Sequence, residues 1–220
     1  MMPIIVLLPG LGADERLFEP LHSAIPSLVV PPWPTPKSGD SLLAFAKRLL
    51  SVIPGGENMY LGGASFGGMV ALELAALVRP RGVFLIGSCT SPQSITPVAQ
   101  LTRAFLHVVP VSLFRPRRWQ MPFVTPMFGR LTSGQRALFL SMAERTPASF
   151  LKWGLEAILS WHPSPVAVPV HHIHGSRDRL IPIGRVQPNR VVSGGGHLLT
   201  LTHAEEVVAF LSEAASDRHG

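Results

Sequence analysis

The chain has 220 residues, 46% apolar and only 15% charged, a composition that excludes intrinsic disorder and suits one sizeable core. Its formal net charge of +6 is unevenly placed: the whole excess lies in 101–136, where Arg103, Arg115, Arg117, Arg118, Arg130 and Arg136 stand without a single acid. No apolar run approaches the roughly 18 residues of a membrane span, and the one cysteine, Cys89, excludes an internal disulfide and suits a reducing, cytoplasmic setting.

The opening MMPIIVLLPG is apolar without a basic leader, and reads as a buried strand over 4–8 rather than a signal peptide. Near-continuous apolar runs at 28–32, 58–63, 82–87, 169–175 and 189–193 predict further strands, of the kind found in parallel sheets covered on both faces. Apolar residues at three- and four-residue steps predict helices over 15–25, 41–53, 66–78 and 204–215, with at most a short turn at 181–187. Strand alternating with helix implies an α/β fold with right-handed crossovers. Residues 91–162 break the rhythm with many prolines, scattered aromatics and the arginine excess. A connection so long predicts a small helical cap inserted after the fourth strand, inside a single domain spanning 1–220.

The stretch GGASFGG (62–68) joins a predicted strand to a predicted helix. As a phosphate loop it fails, because Gly68 stands where the lysine belongs and Met69 where a hydroxyl belongs; it also lacks the spacing of a dinucleotide fingerprint. It does satisfy G-x-S-x-G through Gly63, Ser65 and Gly67. In a strand–turn–helix setting that pattern displays a serine above the sheet, with the amides of the following helix aimed at the same spot. A small-residue turn that lets helix and strand pack closely is the plainer alternative.

A serine needs a base, and the base an orienting acid. HGSRDRLIP (174–182) places Asp178 in the loop after the fifth predicted strand, and GGGHLLTL (194–201) places His197 after the sixth. The other aspartates are Asp14, Asp40 and Asp217, and GSCTSPQSITP after the fourth strand holds no acid. Ser65, Asp178 and His197 are therefore the candidate catalytic residues.

With these residues in place the chain resembles the α/β-hydrolase superfamily along nearly all its length. LPGLGADERLF (8–18) resembles the family's first loop, usually LHGxG, though without the histidine. HGSRDRLIP resembles HGxxDxxxP, and GGGHLLTLTHAEEVVAFL its terminal GHxxxxExPEEVxxFL. The resemblance implies a trimmed α/β-hydrolase fold of about six mostly parallel strands flanked by helices, lacking the family's first hairpin. It also implies a catalytic triad, an oxyanion hole from the backbone N–H groups of Leu11 and Phe66, and no cofactor. The side chains of Leu11 and Phe66 are expected to shape the pocket. Serine at position 65 disfavours the aspartate chemistry of dehalogenases and epoxide hydrolases.

The implied function is that of a serine hydrolase cleaving a carboxylic ester or thioester of a modest, largely apolar acyl group. Acyl transfer, lyase chemistry on the same triad, or a non-catalytic ligand-binding homologue are the alternatives. The expected pocket wall is Phe105, Leu106, Val108, Val109, Leu113, Phe114, Trp119, Phe123, Met127 and Phe128. The arginines read either as a solvated face or as a dock for an anionic partner: an acyl carrier protein, a coenzyme A ester or an anionic membrane surface. The layout loosely resembles pimeloyl-acyl carrier protein methyl ester carboxylesterases. No binding motif accompanies the charge, so nucleic acid is not expected. His172 and His174 would share one strand face, but no Cys, Asp or Glu lies beside them in sequence, and no metal is expected. Cys89 is expected to be buried and inert.

Overall fold

The computed structural model describes residues 3–55, 58–95, 109–114 and 121–216, with backbone alone for 121–124. Six strands form one sheet in the order β2-β1-β3-β4-β5-β6, every neighbouring pair parallel. They are β1 (Ile4–Leu8), β2 (Leu28–Val29), β3 (Met59–Ala64), β4 (Gly82–Ile86), β5 (Val170–Gly175) and β6 (Arg190–Val192). Each crossover to a parallel neighbour needs a long connection, and helices supply most of them: α1 (Glu19–His22), α2 (Leu42–Leu49) and α3 (Phe66–Val78). Between β4 and β5 lie α4 (Met121–Phe128), α5 (Ser133–Arg145) and α6 (Ala148–Leu159); α7 (Leu199–Thr202) and α8 (Ala204–Ser216) close the chain.

Successive strand residues point to opposite faces, and in β1, β3 and β4 both faces are buried, which is why those strands are apolar throughout; β5 carries three histidines and β6 is partly exposed. Val6, Leu8, Leu61, Val83 and Leu85 face α2, α3 and α6. Ile5, Leu7, Tyr60, Phe84 and Ile173 face α1 and α8 on the other side. Helix α3 is buried over ten of its residues, from Phe66 to Ala75, and one of them is charged. That residue, Glu73, accepts hydrogen bonds from Trp161 Nε1 (2.7 Å), Ser164 N (3.0 Å) and Ser164 Oγ (2.7 Å), so its carboxylate ties α3 to the segment beyond α6.

Prolines cut two expected elements short. The strand expected over 28–32 pairs only at Leu28–Val29, since Pro31 and Pro32 have no N–H to give a ladder. The helix expected over 15–25 is a 3-10 turn at Glu15–Phe18, capped by Asp14 Oδ1 on Arg16 N (3.2 Å), followed by α1, where Pro20 occupies a first-turn position. Among the described residues no helix is long and apolar enough to cross a membrane.

The chain leaves β1 toward β2 on one side and returns to β3 on the other. The strand order reverses there, and in open α/β sheets ligands bind beyond the strand ends at such a point. Pro9–Leu11 and Ser65 follow β1 and β3 there.

Candidate active site

Ser65 sits between β3 and α3 with φ 51° and ψ −118°, one of two described non-glycine residues with positive φ. Its amide donates to Ile86 O (3.0 Å) and its carbonyl accepts from Ser88 Oγ (2.6 Å). The flanking glycines are required by space. A Cβ on Gly63 would lie 2.4 Å from Gly67 C, and one on Gly67 would lie 2.0 Å from Leu8 O. Gly10 comes near the same turn, its Cβ position 3.7 Å from Ser65 Cβ. The loop after β1 therefore rests directly on the serine.

Asp178 is buried in the turn after β5. Its Oδ1 accepts from Leu180 N and Ile181 N, both at 2.9 Å, and its Oδ2 from His197 Nδ1 at 2.7 Å. Burial by itself would raise this carboxyl. The charge and N–H of His197, His174 and the Ile181 amide outweigh it and hold Asp178 well below the usual carboxylate range. His197 is 4% exposed and its amide donates to Phe128 O (2.9 Å), which fastens the loop to the end of α4. Gly175 at the end of β5 makes room for that loop: a Cβ there would stand 2.4 Å from both Gly195 O and Gly196 O.

Ser65 and His197 line one cavity of about 280 Å³, walled by Leu11, Phe128, Phe139, Leu155, Ile158 and Leu198 among others. Of the wall expected from sequence, Met127 and Phe128 are there. Val109, Leu113 and Phe114 are not among its lining residues, and Leu113 is 57% exposed. Phe105, Leu106, Val108, Trp119 and the Phe123 side chain lie outside the described residues, as do Arg103, Arg115, Arg117 and Arg118. Arg130 and Arg136 are exposed. Phe139, Leu155 and Ile158, from α5 and α6, were missed by sequence reasoning. They occupy apolar positions of predicted helical territory, but their facing depends on how those helices cross the sheet.

The two expected N–H donors differ in what their side chains do. Leu11 lines the cavity and its methyls lie against Gly154 of α6. Phe66 corrects the expectation of a pocket residue: it is fully buried, with ring centroids 5.4 Å from Trp33, 6.1 Å from Trp153 and 6.3 Å from Phe150. As the first residue of α3 it keeps an N–H outside the helical ladder while its side chain turns back into the core.

Cys89 is buried and its thiol is pushed up to about 12 by burial, with the charge of Asp178 adding to the effect, so it stays protonated and unreactive. His172 and His174 do share a strand face, but their rings meet each other, Nε2 to Nδ1 at 3.0 Å. Among the described residues no group of three or more His, Cys, Asp or Glu side chains is placed to hold a metal ion.

His172 is pushed down to about 4 by burial and by the neighbouring His174. A histidine depressed in the fold favours the neutral form, so the unfolded chain takes up this proton first, near pH 6.5. Its contribution is neutral above that pH and increasingly destabilising as pH falls toward 4. Between pH 7.5 and 4.5 this one residue is expected to remove about 2–3 kcal/mol. Urea unfolding at the two pH values would check it: His172→Gln should lower the baseline stability but lose that much less on acidification.

A model of the alpha/beta hydrolase family matches residues 5–210. Among solved structures, an esterase from Thermogutta terrifontis superposes with TM-score 0.75 at 16% identity, over 99% of this chain and 91% of that one. An esterase from Exiguobacterium antarcticum gives TM-score 0.75 at 14% identity, over 99% and 94%. An enol-lactonase from Burkholderia xenovorans gives 0.66 at 17% identity, over 97% and 91%. No curated protein sequence matches the chain.

Proposed function

The chain belongs to the alpha/beta hydrolase family, and from that premise we propose that it is a serine hydrolase acting on a carboxylic ester or thioester. The observation that carries the reading is the 2.7 Å contact between Asp178 and His197 beside a cavity that His197 shares with a strained Ser65. Asp178 accepts from Nδ1 of His197, which leaves Nε2 unprotonated to act as the base. His197 takes the Ser65 proton as Oγ attacks the substrate carbonyl, and returns it to the leaving alcohol or thiol. Water then enters, activated by the same histidine, and releases the acid from the acyl-enzyme.

The negative oxygen formed at each step falls to the backbone N–H groups of Leu11 and Phe66, donors worth about 3 kcal/mol each in such sites. The cavity lies just below the roughly 300–1,000 Å³ usual for small-ligand sites, and its named walls are apolar, which favours a modest hydrocarbon group on the substrate. Residues 91–162 act as the cap: α4, α5 and α6 contribute Phe128, Phe139, Leu155 and Ile158 to the wall.

A fluorophosphonate probe tests the reading directly. One adduct is expected per chain, mapping by mass to the peptide that holds Ser65, with pre-incubation in a small hydrophobic ester slowing its formation. A folded protein that takes no label at Ser65 would overturn the proposal.

A further inference from the structure

Three histidines and one carboxylate form a continuous buried chain that the proposed mechanism uses only at one end. His197 Nδ1 lies 2.7 Å from Asp178 Oδ2. On the same oxygen's other side, His174 Nε2 lies 3.3 Å away. That nitrogen is also 2.8 Å from Ile181 O, and His174 Nδ1 is 3.0 Å from His172 Nε2. His172 in turn lines a separate, polar cavity of about 560 Å³ together with Ser91, Arg185, Gln187 and Asn189. Its amide donates to Asn189 Oδ1 at 2.7 Å, which pins β5 to the approach of β6.

The hydrogen on His174 can be placed from its partners. A carbonyl only accepts, so Nε2 carries the hydrogen whichever way the His172–His174 bond runs. The same nitrogen stands 3.3 Å from Asp178 Oδ2, a longer contact beside its bond to Ile181 O. We propose that His174 is a positioning residue for the catalytic acid: it anchors the 178–181 turn through Ile181 O and draws charge from the oxygen that orients His197. His172 holds the His174 ring in that rotamer from the second cavity, so the dyad is braced from outside the substrate pocket. This rests on the reading of Ser65, Asp178 and His197 as a triad.

A donor on a carboxylate lowers its basicity, and a less basic Asp178 stabilises the imidazolium of His197 less. Among the described residues the titratable groups around this cluster are Cys89 after β4, His172 and His174 on β5, and His197 after β6; Arg185 stands at the outer cavity. Cys89 stays protonated, so it does not compete in the working range. Removing the His174 donor while Leu180 N and Ile181 N still hold Oδ1 should therefore raise the acid limb of kcat/KM.

The experiment compares His174→Phe, which has no donor, with His174→Gln, which keeps one, and with His172→Phe. The acid limb for a soluble ester is expected to move up by about half a pH unit in His174→Phe, with KM within about twofold. It should return toward the native position in His174→Gln and move partway in His172→Phe. An unmoved limb in folded His174→Phe, or equal profiles for the Phe and Gln variants, overturns the inference. Should His174→Phe fail to fold, His172→Phe decides it: a native acid limb in that folded variant overturns the inference. Fluorophosphonate labelling runs alongside. Loss of label on native Ser65 defeats the triad reading itself, whereas full labelling with an unmoved limb defeats only the role of His174.

Discussion

Replacing Ser65 with glycine is expected to abolish ester hydrolysis, by on the order of 10⁶-fold in kcat, and at the same time to make the fold more stable by about 1 kcal/mol. The two effects come from one atom group. With φ 51° and ψ −118° the residue occupies backbone territory that side chains avoid, at a cost of about 1–3 kcal/mol. Glycine removes that strain, and gives back part of the gain through the larger entropy of its unfolded chain. Nothing else of consequence is lost. Ser65 precedes α3 without making a side-chain cap bond, and the bonds that fix the turn use its backbone N–H and carbonyl. Ser65→Ala should be equally inactive but keep the strain, so it isolates the backbone term. Urea titrations of the three proteins at pH 7.5, with hydrolysis rates on one short-chain ester, would read both effects. A less stable glycine variant would mean that the hydroxyl holds the turn, and turnover retained in either variant would place the nucleophile elsewhere.

Sequence alone reached the sheet because its strands are near-continuous apolar runs, and it reached α3 because apolar residues recur at three- and four-residue steps after the glycine turn. It placed Asp178 and His197 in the loops after β5 and β6, where the folded chain sets them 2.7 Å apart. Those placements are legible because loop identity follows strand order. What was not legible depends on angles and packing. The walls contributed by Phe139, Leu155 and Ile158 depend on how α5 and α6 lie over the strand ends, and no local pattern encodes that crossing. The inward turn of Phe66 follows from α3 starting at the very residue after the serine, so that amide and side chain point to different places. The contact of His174 with Asp178 joins β5 to its own following turn across four residues, close in sequence yet set by the tight return at Ile181.

Gly67→Ala is expected to be the most damaging single methyl group that can be added near the site. The new Cβ would stand 2.0 Å from Leu8 O and 2.5 Å from Leu8 C and Pro9 O, and all three are backbone atoms. They cannot give way separately, because β1 is hydrogen-bonded to β2 on one side and β3 on the other. Relief would require α3 to lift from the sheet, and that helix carries Phe66, Met69, Val70 and Leu74 into the core. A loss above about 4 kcal/mol follows, out of a total of roughly 5–15 kcal/mol for a natural domain. Gly134→Ala supplies the contrast. It lies in α5 with no atom within 4 Å of its Cβ position, and there the better helix former should add about 0.5–1 kcal/mol. Soluble yield and thermal melting of the two variants would separate them at once. A Gly67→Ala protein that melts like the parent would mean that the loop after β1 can move off the serine turn. The oxyanion role given to the Leu11 amide would then fail as well, because that amide is positioned by the same close approach.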